Sequence, residues 1–333
     1  MISPNKHTEL LPGTLKNLFY PPERNEYTYF ARASERSFMN GGAIVTAAWA
    51  ADASMLAYAR YGSTRMTDSD LAANFGRAGL ECEKIGDWNA PGTQAVFASC
   101  DQFAILAFRG TEIDDTKDSV YDADILLVPE HDYRPSPADP GPALGHLTFI
   151  THLFSPPCLV HRGFQNALEE VWEQVHRIVL DYRISHKDAE ILFTGHSLGG
   201  AVAVLAFSRF ADPDLSLCTF GCPRVGDGAF RDRVMSNPGR GIRRFVNFND
   251  AVAHVPLESF LYRQTPAQSY RFDENGNLGS GDDTFDGDIE SLRTAVNGLP
   301  EDLLAADLAT IPAPHSVVDH SPARYCMRLW DCV

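Results

Sequence analysis

The sequence predicts an α/β domain with a mostly parallel central sheet and helices on both faces. Three observations carry this. Short apolar runs alternate with helical segments from 163 to 248, the order that strand–helix units impose. The run FAILAF at 103–108 is apolar throughout, as a central strand buried on both faces must be. The apolar run at 189–194 ends in Gly195-His196-Ser197-Leu198-Gly199 and passes directly into an apolar helical segment, 197–210.

The elements follow in order. Residues 1–40 are rich in proline and charge and are expected as an N-terminal surface extension; 41–333 read as a single domain. Apolar residues recur at helical spacing over 43–60, and Asp52 ends the longest apolar run, Gly41 to Ala51. Thr67-Asp68-Ser69-Asp70 can cap a short helix to about 79. Strands are expected at 81–85, 93–99 and 103–108. In 129–158, Pro129, Pro135, Pro137, Pro140 and Pro142 exclude regular structure from the first half, and Leu147, Phe149, Ile150, Leu153 and Phe154 make the second half apolar. This insertion reads either as a lid-like excursion or as a packed linker. One long amphipathic helix is expected over 163–184, with Phe164, Leu168, Val171, Trp172, Val175, Ile178 and Val179 on one stripe. Then come a strand at 215–220, a helix at 227–236, a strand at 242–248, a polar hairpin and loop at 264–288, and short helices at 289–296 and 301–309.

The chain has 333 residues, of which 44% are hydrophobic and 22% charged, enough for a sizeable core. Its formal net charge of -16 argues against a nucleic-acid partner, which needs clustered Lys and Arg. The longest apolar run is about half a membrane span, so no transmembrane segment is expected. The N-terminus shows no signal-peptide pattern, which gives a cytoplasmic expectation; a secreted mature form would look the same. An odd count of seven cysteines is not a disulfide scaffold; Cys82 with Cys100, or Cys326 with Cys332, could pair in an oxidising compartment. The segment DDTFDGDIE fails as a calcium loop started at Asp282, because position 3 is Thr284 and position 12 is Arg293. No metal and no cofactor are expected.

The chemistry starts at Ser197. A G-x-S-x-G between strand and helix is the position required of a nucleophile elbow, where glycines on either side leave room for a sharp turn. The helix N-terminus adds a positive dipole near the reacting atoms. A serine hydroxyl needs a base, and the acid and base follow it in the chain in that order. Asp250 is the preferred acid, because it follows a strand at the edge where α/β sheets hold their sites, whereas Asp227 and Asp232 fall on a helix. His320, just before a terminal apolar run, is the preferred base, with His315 as the alternative. His161 precedes the nucleophile and reads as structural, and His196 reads as packing beside the elbow.

Several motifs occur together: FRGT at 108–111, VHRGF at 160–164, GHSLGG at 195–200, TFGCPRVGD at 219–227, NFNDAVAHVP at 247–256, and Asp-His-Ser-x-x-x-Tyr starting at Asp319. In this order they resemble the class 3 (fungal-type) lipase family. The resemblance implies an α/β-hydrolase fold and hydrolysis of carboxylic esters of acyl lipids by Ser197, Asp250 and His320. It implies an oxyanion hole from the Leu198 N–H and from Thr111, with Asp118 orienting the Thr111 hydroxyl. Phe149, Ile150, Leu153 and Phe154 are expected to meet the substrate or form the lid. The expected partner is an acyl-ester lipid, with transient contact at a lipid interface. A phospholipase A1, a short-chain esterase and a catalytically idle lipid-binding module stay open as alternatives. The connection between Pro129 and Val160 is longer than the family's.

Overall fold

The computed structural model describes residues 27–58, 66–110, 126–130, 158–266, 268–282 and 318–333. Its strands are β1 (Glu81–Ile85), β2 (Ala95–Ser99), β3 (Phe103–Phe108), β4 (Leu127–Pro129), β5 (Leu159–His161), β6 (Glu190–His196), β7 (Leu215–Phe220), β8 (Gly241–Asn247), β9 (Gln268–Phe272) and β10 (Leu278–Asp282). Eight of them form one sheet in the order β1-β2-β3-β6-β7-β8-β9-β10. The pairings from β3 through β9 are parallel, and the outer pairs β1–β2, β2–β3 and β9–β10 are antiparallel. The sheet is therefore parallel at its centre and mixed at its edges. The expected hairpin at 264–288 is β9–β10 as far as Asp282.

The period-2 alternation of a strand assigns the core to two faces. Phe103, Ile105 and Ala107 of β3 join one buried cluster, and Ala104, Leu106 and Phe108 join the other. The helices are α1 (Gly42–Leu56), α2 (Asp68–Arg77), α3 (Arg162–Glu169), α4 (Trp172–Ser185), α5 (Leu198–Ser208), α6 (Gly228–Met235) and α7 (Pro322–Asp331). The first cluster is closed by α1 and the C-terminal α7. The second is closed by α3, α4, α5 and α6. At the start of α2, Thr67 and Asp70 form the reciprocal capping box the sequence suggests. From Gly199 to Phe207, α5 is buried on every side, which its unbroken apolar sequence requires.

Several expectations are corrected. The long helix over 163–184 is two helices, because Val171 takes φ -121 and ψ -1 between α3 and α4. The apolar stripe runs on across the break, with Leu168, Val171, Trp172, Val175 and Val179 all buried, so periodicity alone could not reveal it. The short strands β4 and β5 pair antiparallel at the ends of the insertion. At three residues each they are too short to leave a period. The surface reading of residues 1–40 fails for its described part. Tyr27, Tyr29, Phe30, Ala33 and Phe38 are core residues, and Phe38 stacks on Phe103 with ring centroids 4.0 Å apart. Asp52, read as the end of an apolar run, lies inside α1 and is fully buried. Residues 289–309 lie outside the described residues.

Candidate active site

Ser197 occupies the turn between β6 and α5 with φ 58 and ψ -130, a conformation that L residues rarely adopt and that must be held by its surroundings. Its N–H donates to the Phe220 carbonyl at 3.0 Å. A Cβ on Gly195 would lie 2.2 Å from the Gly199 backbone, so the turn closes only with glycine. The hydroxyl is thereby lifted to the C-terminal edge of the sheet.

The same edge carries the next two groups. Asp250 follows β8 in a turn closed by its own N–H to the Asn247 carbonyl, 2.8 Å. His320 enters from the chain just before α7. Its Nδ1 lies 2.9 Å from both carboxylate oxygens of Asp250, and its Nε2 lies 2.9 Å from Ser197 Oγ. A carboxylate only accepts, so the proton sits on Nδ1 and leaves Nε2 to receive the hydroxyl proton. Burial pushes the Asp250 carboxyl up, but His320, together with hydrogen bonds from His320 and Tyr325, outweighs it and holds the group below the usual carboxylate range.

Several neighbours that sequence reasoning did not assign complete the arrangement. Tyr325 of α7 donates its hydroxyl to Asp250 Oδ2 at 2.7 Å and accepts the Asn247 N–H at 2.9 Å. The Val252 N–H donates to Asp250 Oδ1 at 3.0 Å. Asn247 Nδ2 donates to the Asp319 carbonyl at 2.8 Å, tying the residue before His320 to the end of β8. Gly221, after β7, takes φ +55, and a Cβ there would come within 2.5 Å of Asp250 Oδ2 and 2.9 Å of His320 Nδ1. Tyr325 closes a motif already noted near the C-terminus, and Gly221 lies within TFGCPRVGD, but neither pattern states a contact.

The other candidates have different surroundings. Asp227 caps α6, accepting the Phe230 N–H at 2.8 Å. His161 caps α3 through Nδ1, accepting the Phe164 N–H at 3.3 Å, and stacks on that ring at 3.9 Å. Its burial lowers its pKa to about 4, so it is neutral in the ordinary range. His254 is buried in a single helical turn, Val252–His254, and its carbonyl accepts from Arg224. Leu198 is the first residue of α5, directly after Ser197. Thr111, Asp118, Phe149, Ile150, Leu153, Phe154 and His315 lie outside the described residues. Among the described residues no disulfide joins Cys82 to Cys100 or Cys326 to Cys332, and no helix is long and apolar enough to cross a membrane.

Residues 105–260 match the family described as Lipase (class 3). A lipase of Rhizomucor miehei is 37% identical over 126 residues, 35% of this chain and 34% of that protein. A secreted mono- and diacylglycerol lipase of Fusarium solani is 36% identical over 110 residues, 32% of this chain and 33% of that protein. The alignments thus span about a third of the length of these curated relatives. The Fusarium protein is a secreted one by name, and the cytoplasmic expectation draws no support from it. Lipase II from Rhizopus niveus superimposes with a TM-score of 0.54 at 22% identity, over 78% of this chain and 89% of that one, which establishes the shared α/β-hydrolase fold. With its parallel-centred sheet, its ordered motifs and the matched region from β3 to beyond Asp250, the chain is similar to the class 3 lipase family over residues 105–260.

Proposed function

We propose that this chain is a serine hydrolase that cleaves carboxylic esters of acyl lipids without a cofactor. The observation that carries the reading is the unbroken hydrogen-bonded run from Ser197 through His320 to a fully buried Asp250, set on a strained strand–helix turn. His320 Nε2 takes the hydroxyl proton as Ser197 attacks the ester carbonyl. Asp250, ionised through the neutral range, orients the ring and stabilises the imidazolium without taking its proton. The Leu198 N–H and Thr111 receive the developing oxyanion, and Asp118 orients the Thr111 hydroxyl. The leaving alcohol is protonated by His320, and water then cleaves the acyl-enzyme by the same relay. Phe149, Ile150, Leu153 and Phe154 are assigned to acyl contact and to transient contact with a lipid interface, on the strength of their apolar spacing.

A fluorophosphonate probe tests the reaction class: it should label Ser197 in the wild type and not in Ser197→Ala. A chain-length series of p-nitrophenyl esters, run beside one triglyceride and one phospholipid, tests the substrate class. Absence of labelling would replace the enzyme reading with that of a lipid-binding module.

A further inference from the structure

His196 is a buried side chain beside the reacting groups that the mechanism above does not use. It is 3% exposed, at the end of β6 and directly before the nucleophile. Its Nε2 lies 2.6 Å from the main-chain carbonyl of His320, and its Nδ1 lies 2.9 Å from the hydroxyl of Tyr58. Its ring packs on the ring of His320 with centroids 4.4 Å apart at 37°.

The chemistry of these partners fixes one tautomer. A carbonyl only accepts, so Nε2 must carry the proton and donate it to His320. In a neutral imidazole Nδ1 is then bare and accepts from the Tyr58 hydroxyl. The residue beside the nucleophile thus grips the backbone of the base, and the last residues beyond α1 hold that grip in register. The ionisable groups facing this cluster are Tyr58, Tyr325, His320 and Asp250. Burial and the neighbouring His320 both push the His196 pKa well below the imidazole value. A neutral ring is what the site needs, because His320 becomes an imidazolium during turnover and a second cation stacked on it would oppose that step.

We propose that His196 is a positioning residue for the relay: as a neutral Nε2–H donor locked by Tyr58, it holds the main chain and ring of His320 in line between Asp250 and Ser197. The proposal deepens the ester-hydrolase reading and rests on it. Proton transfer is sensitive to sub-ångström placement, so the loss should fall on turnover and not on binding.

The test uses the full chain with His196→Phe, which keeps an aromatic body but removes the donor, His196→Gln, which restores an N–H near the Nε2 position, and Tyr58→Phe, which removes the hydroxyl that faces Nδ1. With a soluble p-nitrophenyl ester, His196→Phe should lose roughly 10- to 100-fold in kcat with KM within about threefold. His196→Gln should recover most of that loss, and Tyr58→Phe should lose less in the same direction. The far-downfield proton resonance of His320 Nδ1–H, assigned by its loss in His320→Ala, should broaden in His196→Phe and sharpen again in His196→Gln. Wild-type kcat in folded His196→Phe, or a His196→Gln no better than His196→Phe in both readouts, would overturn the positioning role. The resonance reads the placement of His320 whether or not the chain hydrolyses esters. A wild type left unlabelled by the fluorophosphonate probe therefore overturns the enzyme reading, while the resonance still decides the positioning claim.

Discussion

Asp250 and Asp52 are both completely buried carboxylates, yet their surroundings drive them in opposite directions. Around Asp250 stands a histidine that can carry positive charge, with Tyr325 and a main-chain N–H as further donors, and the carboxyl falls below its usual range. Around Asp52 the described residues supply neutral donors: the Tyr27 hydroxyl, the Phe30 N–H at 2.7 Å, the Trp330 indole N–H at 3.0 Å and the Cys326 thiol. Burial dominates there, and the pKa rises to about 6. Hydrogen bonds alone make a buried acid tolerable, whereas a partner able to carry charge keeps it ionised and available for work. One helix serves both sites, since α7 brings Tyr325 to Asp250 and Trp330 to Asp52. Asp52 thereby fastens the N-terminal segment, α1 and α7 to one another, while Asp250 serves the reacting edge.

If the two regions differ in role as they do in chemistry, substitutions should separate activity from stability. The largest effect is expected at the reacting end. Ser197→Ala should lower kcat by roughly 10⁵-fold or more, since the relay acts as a unit, with an unchanged thermal midpoint. Asp250→Asn should lower it by roughly 10⁴-fold, because an amide no longer fixes the His320 tautomer or stabilises the imidazolium. A few per cent of wild-type turnover in either variant, measured on a soluble ester, would break the assignment.

Tyr325→Phe probes the link between the regions. It deletes one hydrogen bond to the ionised Asp250 and leaves the buried Asn247 N–H without its acceptor. A cost of about 2 to 4 kcal/mol in chemical denaturation is expected, together with roughly tenfold lower kcat. A loss of activity with no loss of stability would assign Tyr325 to the relay alone.

What can be read from the sequence follows this division. The central strands are legible because FAILAF and AEILFT bury both faces and need no partner to be recognised. Ser197, Asp250 and His320 follow from motif, edge position and chain order, and they meet within hydrogen-bond distance. Their supports do not come with them. Tyr325 and His196 act through contacts across 75 and 124 positions of sequence, which no local pattern encodes. Asp52 escapes for the same reason. Hydropathy registers the charge that interrupts Gly41 to Ala51, and not the donors that wait for it from Tyr27, Phe30, Cys326 and Trp330. The core role of residues 27–38 is hidden by the prolines and charges that precede them.

The smallest effect on activity, and the sharpest test of the contrast, is expected at Asp52→Asn. The folded carboxyl titrates near 6, against 3.8 for an ordinary one, so the native state holds the proton more tightly than the unfolded chain. Below about pH 4 both states are protonated and nothing is lost. As pH rises toward 6 the unfolded chain ionises first, and stability falls. Above 6 the loss is complete, on the order of 3 kcal/mol. The amide that replaces the carboxyl cannot ionise and escapes this slope. It keeps one acceptor oxygen for the Phe30 and Trp330 N–H groups, both of which meet Oδ2 in the wild type, and its NH₂ can donate to the Tyr27 oxygen. Any mismatch there adds a constant that does not vary with pH. The stability of Asp52→Asn relative to wild type, followed by denaturant titration from about pH 4.5 to 8, should therefore climb with pH and flatten above about 6.5, with turnover of a soluble ester unchanged. A difference that stays level across this range would mean that Asp52 is ionised throughout, like Asp250, and that neutral donors alone suffice to hold a buried charge.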